Sequence, residues 1–213
     1  MENKKIIDIS LPVKTGMTIY PGNAPVLISS WHSIQKGDSS NLSLLSLGSH
    51  TGTHIDAPFH GHMEGKTLGQ IPLSVFVGKC KVFDFESSKE AVTLEDIKSR
   101  QIEKGDRILL RTSNSVRGMD TFYDDYVYLS GEAAEYLAEK EVVLVGIDSL
   151  SIKQRGSKDN RPHSALLSKD IPIIEGLNLK DVSSGEYELY CLPLSVDIDG
   201  APARVVLIDN NLR

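Results

Sequence analysis

Residues 48–60 read GSHTGTHIDAPFH and put His50, His54, Asp56 and His60 close together in a chain that has 6 histidines in all. Imidazoles and a carboxylate gathered this densely suit two kinds of chemistry, metal coordination and proton transfer. Gly52, Thr53, Ile55 and Pro58 disfavour a helix across the cluster, because Gly and Pro break helices and β-branched residues weaken them. On a strand, His54 and Asp56 share a face with Cα atoms about 6.6 Å apart, whereas His50 and His54 stand about 13 Å apart. The longer separation cannot serve one ion through ligand bonds of ~2.1 Å. The chain must therefore turn within TGT. Gly52 is the residue that permits the turn, since glycine takes positive φ without steric cost. The expectation is that His50 folds back toward His54 and Asp56.

The elements that must position this cluster are mostly strands. KIIDISL, VLISSWHSI and NLSLLSLGS precede it, and VGKCKVFDF, DRILLRTS, VVLVGIDS, IPIIEGL and ARVVLID follow. All are short, rich in Val, Ile and Leu, and bounded by Gly, Pro, Asn or Asp. VVLVGI is almost wholly apolar and should be covered on both faces. TLEDIKSR opens on Thr93 with Asp96 three residues later, a capping-box start, and Gly105 then suits a turn into the next strand. SGEAAEYLAEKE has Ser130 as N-cap and an apolar face at Ala133, Ala134, Leu137 and Ala138. HSALLSK forms a short helical turn. Strands interspersed with helices indicate one α/β domain over residues 1–213.

Composition narrows the partners. A chain of 213 residues can bury a sizeable core, and 40% apolar with 24% charged residues describes an ordinary globular protein. A net charge of −6 without a basic stripe argues against nucleic acid and anionic membrane. No apolar run approaches the ~18–20 residues of a membrane span. MENKKIIDIS lacks a signal-peptide core, which places the protein in the cytoplasm. Cys80 and Cys191 lie far apart within apolar surroundings and read as buried hydrophobes, not a disulfide or a nucleophile.

The string HTGTHIDAPFH resembles the HxGTHxDxPxH signature of the cyclase, or kynurenine formamidase-like, family of metal-dependent hydrolases. The likeness extends through YPGNAP, GIDSLSI, the HSALL and IPIIEGL segments and the closing DGAPARVVLI, so it covers most of the chain. It implies a three-layer β/β/α swivelling-type α/β fold with mixed sheets. It implies that His50, His54 and Asp56 bind a divalent metal, and that Asp56 bridges to a second ion held by His163 and Glu175, which stand here twelve residues apart. Read alone, that pair is unremarkable, a helix-start histidine and a strand-end carboxylate. The implied cofactor is Zn²⁺, one or two per subunit, with Mn²⁺ as the alternative. His60 completes the motif and is implied as the acid–base residue. His62 and His32 fall outside it and read as surface residues.

The activity implied is hydrolysis of a C–N amide bond in a small molecule. The foremost form is an arylformamidase that releases formate from N-formyl-L-kynurenine or a related N-formyl arylamine, within tryptophan catabolism. The alternatives are hydrolysis of a cyclic amide such as isatin or of a lactone, and a non-enzymatic metal- or ligand-binding protein. The family commonly has a tryptophan before the Pro-Gly where this chain has Tyr20, so Tyr20 is the candidate substrate contact. Phe122, Tyr123, Tyr126 and Tyr128 line a pocket or pack, and Arg111 and Arg117 are candidate partners for a substrate carboxylate. The resemblance also implies a homodimer or higher homo-oligomer. The aromatic loop 119–128 is the candidate lid over a neighbour's pocket.

Overall fold

The computed structural model describes residues 5–209; residues 1–4, on which part of the leader reading falls, and residues 210–213 lie outside the described residues. In chain order the strands are β1 (Lys5–Asp8), β2 (Leu27–His32), β3 (Leu42–Ser46), β4 (His54–Asp56), β5 (Val77–Phe85), β6 (Ala91–Val92), β7 (Arg107–Thr112), β8 (Tyr128–Leu129), β9 (Leu144–Ile147), β10 (Ile173–Glu175), β11 (Gly185–Pro193) and β12 (Gly200–Asp209). The α-helices are α1 (Pro58–Gly61), α2 (Leu94–Lys98), α3 (Ser113–Arg117), α4 (Gly131–Glu139) and α5 (Arg161–Leu167).

Among the described residues an 8-stranded mixed sheet runs β1-β12-β11-β5-β7-β9-β10-β4. Strand β4 pairs not only with β10 but also with β12, through Gly200 opposite Asp56 and Pro202 opposite His54. The sheet therefore closes on itself through β12, and β1 continues it outside the closure. Strands β5, β7, β9 and β10 are parallel neighbours, while β11, β12 and β4 pair antiparallel.

The three layers are two facing walls of this one closed sheet and the helices outside it. Alternate residues divide between two cores, as the period of a strand requires. Ile55, Leu109, Leu144, Ile174, Leu189 and Val205 fill the space between the walls. Ile108, Leu110, Val145, Ile147 and Ile173 face outward and are covered by Ile97 of α2, Leu137 of α4 and Leu166 of α5. This double covering is what the apolar run VVLVGI requires. The caps also form as the sequence indicates. Thr93 and Asp96 make a reciprocal capping box on α2, and the Ser130 side chain accepts from Ala133 N on α4.

Two features differ from the sequence expectation. Strand β11 is poor in Val and Ile, but Tyr187, Leu189 and Cys191 are buried at alternate positions, and this period-two signal identifies it. Strands β2 and β3 form as expected but, among the described residues, pair only with each other, and every residue of both is exposed.

Candidate metal centre

Strand β4 turns Ile55 into the space between the walls, so His54 and Asp56 point the other way, toward α5. In the antiparallel register with β10, Glu175 stands directly opposite His54. The TGT turn forms with Gly52 at φ 61°, in the left-handed region. Thr53 braces the turn: its hydroxyl donates to the Gly176 carbonyl at 2.5 Å and accepts from Leu11 N at 2.8 Å. The turn returns His50 to the cluster, with Nδ1 2.7 Å from Asp56 Oδ1. His54 Nε2 lies 3.3 Å from that same oxygen and 3.5 Å from Glu175 Oε2.

The other Asp56 oxygen, Oδ2, faces His163 Nε2 at 3.6 Å. That nitrogen is 3.2 Å from Glu175 Oε1, which also accepts from Ile152 N at 2.6 Å. Helix α5 carries His163 on its first turn, where Pro162 fits without loss of a backbone bond. The five groups thus form one contiguous set with Asp56 at its middle; His54, Asp56 and Glu175 are buried and His50 and His163 partly so.

His60 belongs to the same place but not to the strand. Pro58 starts the one-turn helix α1, so alternation along β4 does not position His60. The turn brings its ring to 4.0 Å from that of His50 and 5.8 Å from that of His163. His60 is 35% exposed, whereas the side chains of His54 and Asp56 are buried. His60 therefore faces the opening. A cleft of about 450 Å³ lies there, lined by Tyr20, Asn23, His50, His60, His163 and Glu175 among others.

Residues 7–154 match the family described as "Putative cyclase". The chain belongs to the cyclase family. A kynurenine formamidase of Bacillus anthracis is 35% identical over 208 residues, 97% of this chain and 99% of that one. The solved structure of a predicted metal-dependent hydrolase from Bacillus stearothermophilus is 36% identical, with a TM-score of 0.86 over 97% of this chain and 99% of that one. Isatin hydrolase A from Labrenzia aggregata shares the fold at 21% identity, with a TM-score of 0.83 over 96% of this chain and 93% of that one.

In this cyclase-family chain Tyr20, the candidate substrate contact, lines the cleft with its ring edge-on to Phe122 at 5.5 Å. Arg155 lies over both rings, 5.5 Å from Tyr20 and 5.1 Å from Phe122, within cation–π range. Tyr126 is buried and its hydroxyl donates to the Lys153 carbonyl, which ties the aromatic segment to its own chain. Arg111 and Arg117 are not in the cleft. Arg111 pairs with Asp84 at 2.8 Å and Glu86 at 2.6 Å, and Arg117 pairs with Asp125 at 2.8 Å and lies over Tyr123. His62 and His32 are exposed, as expected. One residue escaped the sequence reading: Asp199, whose Oδ2 is 2.6 Å from His50 Nε2. Its signal was the DGAPAR segment, noted only for its resemblance.

The electrostatics of the cyclase site draw positive charge. Burial works against the Asp56 carboxylate, but the His163, His50 and His54 imidazoles around it outweigh that and hold the group well below the usual carboxylate range. Burial and the Asp56 charge oppose ionisation of Glu175, yet His163 and His54 hold it low as well. Burial opposes the imidazolium forms of His54 and His163, but Asp56 and Glu175 push both up to about 10. Burial dominates at His60 and pulls its pKa down, so it is the neutral imidazole of the set.

The donors fit a divalent metal. His54 Nε2 and Asp56 Oδ2 are buried without a hydrogen-bond partner, and such atoms carry a desolvation cost unless something satisfies them. His54 Nδ1 donates to the Gly52 carbonyl at 2.9 Å, so Nε2 is the nitrogen turned toward Asp56 and Glu175 and the one available to an ion that displaces its proton. Ligands of one tetrahedral ion stand about 3.4 Å apart for bonds near ~2.1 Å. The 3.3 Å between His54 Nε2 and Asp56 Oδ1 matches this. One candidate ligand atom from each of His50, His54 and Asp56 lies within 4.8 Å of the other two.

Proposed function

We propose that the chain is a metal-dependent amide hydrolase of the arylformamidase type, releasing formate from N-formyl-L-kynurenine or a related N-formyl arylamine. The observation that carries this reading is the buried centre around Asp56, with the His60 ring beside it at the wall of an open cleft. His50, His54 and Asp56 would hold one divalent ion, and Asp56, His163 and Glu175 a second. Imidazole and carboxylate donors suit Zn²⁺, and Mn²⁺ is accepted by the same set. When bound, such an ion acts as a Lewis acid on the amide carbonyl and brings the pKa of water down to about 7.

The protein's own residues supply the remainder. His60 is held neutral by burial, so it can take a proton from the attacking water on a ring nitrogen. It then delivers that proton to the departing amine nitrogen, a poor leaving group without it. The Tyr20 ring offers a face or edge to an aryl group, and its hydroxyl adds a polar contact. The supports are the kynurenine formamidase likeness over nearly the whole chain and the donor set itself. Cleavage of a cyclic amide is the second reading, supported by Tyr20 in the place of the family's tryptophan and by the same centre.

The proposal also takes the chain as a cytoplasmic homodimer or higher homo-oligomer of tryptophan catabolism. Its partner is then a small amide substrate, not nucleic acid or membrane. Among the described residues no helix is long and apolar enough to cross a membrane.

The test is direct. Protein loaded with Zn²⁺ or Mn²⁺ is assayed side by side on N-formyl-L-kynurenine and isatin. Formate release from the first is expected, and His60→Ala should lower kcat by ~10²–10⁴-fold while metal content stays unchanged. Faster turnover of isatin would move the activity to the second reading. Full metal occupancy with no turnover of either substrate would overturn the hydrolase reading.

A further inference from the structure

His50 stands between two carboxylates. Its Nδ1 is 2.7 Å from Asp56 Oδ1 and its Nε2 is 2.6 Å from Asp199 Oδ2. An imidazole that ligates a cation does so through one nitrogen, and the other carries a proton that needs an acceptor. The Nδ1 side faces Asp56 and the ligand set, so the proton belongs on the Asp199 side.

We propose that Asp199 is the positioning residue for His50: its carboxylate accepts the Nε2 proton and so directs the Nδ1 lone pair at the centre shared with His54 and Asp56. The inference rests on the metal-hydrolase reading above and adds a residue to it. His54 has the same device with a weaker acceptor, since its Nδ1 donates to the Gly52 carbonyl. A carboxylate makes the stronger, charge-assisted bond, and His50 needs it more. His50 lies at the far side of the TGT turn, whereas His54 is held within a paired strand.

Asp199 is itself well fixed. Its carbonyl accepts from Ala57 N at 2.9 Å, and Ser49 Oγ donates to the same Oδ2 at 3.3 Å. That oxygen is 3.7 Å from His60 Nδ1, beyond a hydrogen bond, which leaves His60 free for proton transfer.

The experiment measures Zn²⁺ affinity by competition with a chromophoric chelator for the wild type, Asp199→Ala, Asp199→Asn and Ser49→Ala. It is combined with long-range ¹H–¹⁵N NMR of the Zn²⁺-loaded wild type to locate the His50 proton. Loss of an outer partner of this kind weakens metal binding by ~10–100-fold, and Asp199→Ala should show a loss of that size. Asp199→Asn keeps an acceptor oxygen and should recover part of it. Ser49→Ala removes only the longer 3.3 Å bond to the same oxygen and should lose less than Asp199→Ala does, and the NMR should place the proton on Nε2. Wild-type affinity in Asp199→Ala, or a proton on Nδ1, would overturn the inference. The NMR readout holds even where Asp199→Ala does not fold. Wild-type affinity in His50→Ala and Asp56→Ala would instead remove the metal reading itself, so the two failures are distinguishable.

Discussion

Three imidazoles and two carboxylates share one buried space around Asp56, so the charge on each is set by the others. His54 and His163 have folded pKa values of about 10, well above the ~6.5 of an unfolded chain. A raised pKa contributes stability that is complete below about 6.5 and is lost as pH rises through about 10. Asp56 and Glu175 are depressed, so their contribution is present above the ordinary carboxylate pKa of ~4 and is lost as pH falls through their folded values. Chelator-treated protein should therefore show a urea midpoint that declines steadily from pH 6.5 to 10. Metal uptake needs neutral imidazoles, so loading at pH 7.5 should release protons into the buffer. A flat profile over that range, or uptake without proton release, would contradict this assignment of charge.

At the scale of elements, the centre depends on two backbones meeting. Gly176 follows Glu175 at the end of β10 and has φ 69°. Its Cα hydrogens face the Gly52 carbonyl in the TGT turn, and a Cβ there would collide with that carbonyl and with the Thr53 backbone. Gly105 has a similar φ of 87° with open space around it. Gly105→Ala should therefore cost only conformational strain, about 1 kcal/mol. Gly176→Ala adds displacement of the turn from the strand and should cost more, ~1–3 kcal/mol or above. For a chain of this size each kcal/mol lowers Tm by about 2–4 °C. Calorimetry of the two variants, with metal affinity measured alongside, checks the difference. Equal melting and equal affinity would show that the contact between Gly52 and Gly176 does not set the site.

For the whole molecule, the β2–β3 hairpin is the feature that the closed sheet leaves over. An isolated two-stranded hairpin is marginally stable in water. This one exposes more than half of Leu27, Trp31, Leu42 and Leu45. Ile28 pairs across the hairpin with Leu45, so apolar side chains stand on both of its faces. Interaction sites present exposed apolar side chains of this kind, and the hairpin supports the homo-oligomer proposed above. Trp31 is the sole tryptophan of the chain, so its emission reports on this surface alone. Light scattering should give a dimer or larger, with Trp31 emission at the wavelengths of a shielded indole. Leu27→Glu with Leu44→Glu should shift both mass and emission toward a monomer. A wild-type monomer with water-exposed emission would count against the assembly.

What the sequence determined by itself is local. The position of Gly52 between His50 and His54 dictates the fold-back, because only that residue takes φ near 61° without strain. Thr93 with Asp96 dictates the start of α2, and the unbroken run VVLVGI dictates a strand covered on both faces. His163 and Glu175 were legible only through their resemblance to a family pattern, since neither has local surroundings that announce a ligand. Tertiary structure alone decided which distant groups meet. The closure of β4 onto β12 carries Asp199 to His50 across 149 positions, and the pairing of β10 with β4 sets Glu175 against His54. These contacts are fixed by register and packing between segments far apart in the chain, and propensity and spacing within a segment hold no information about either.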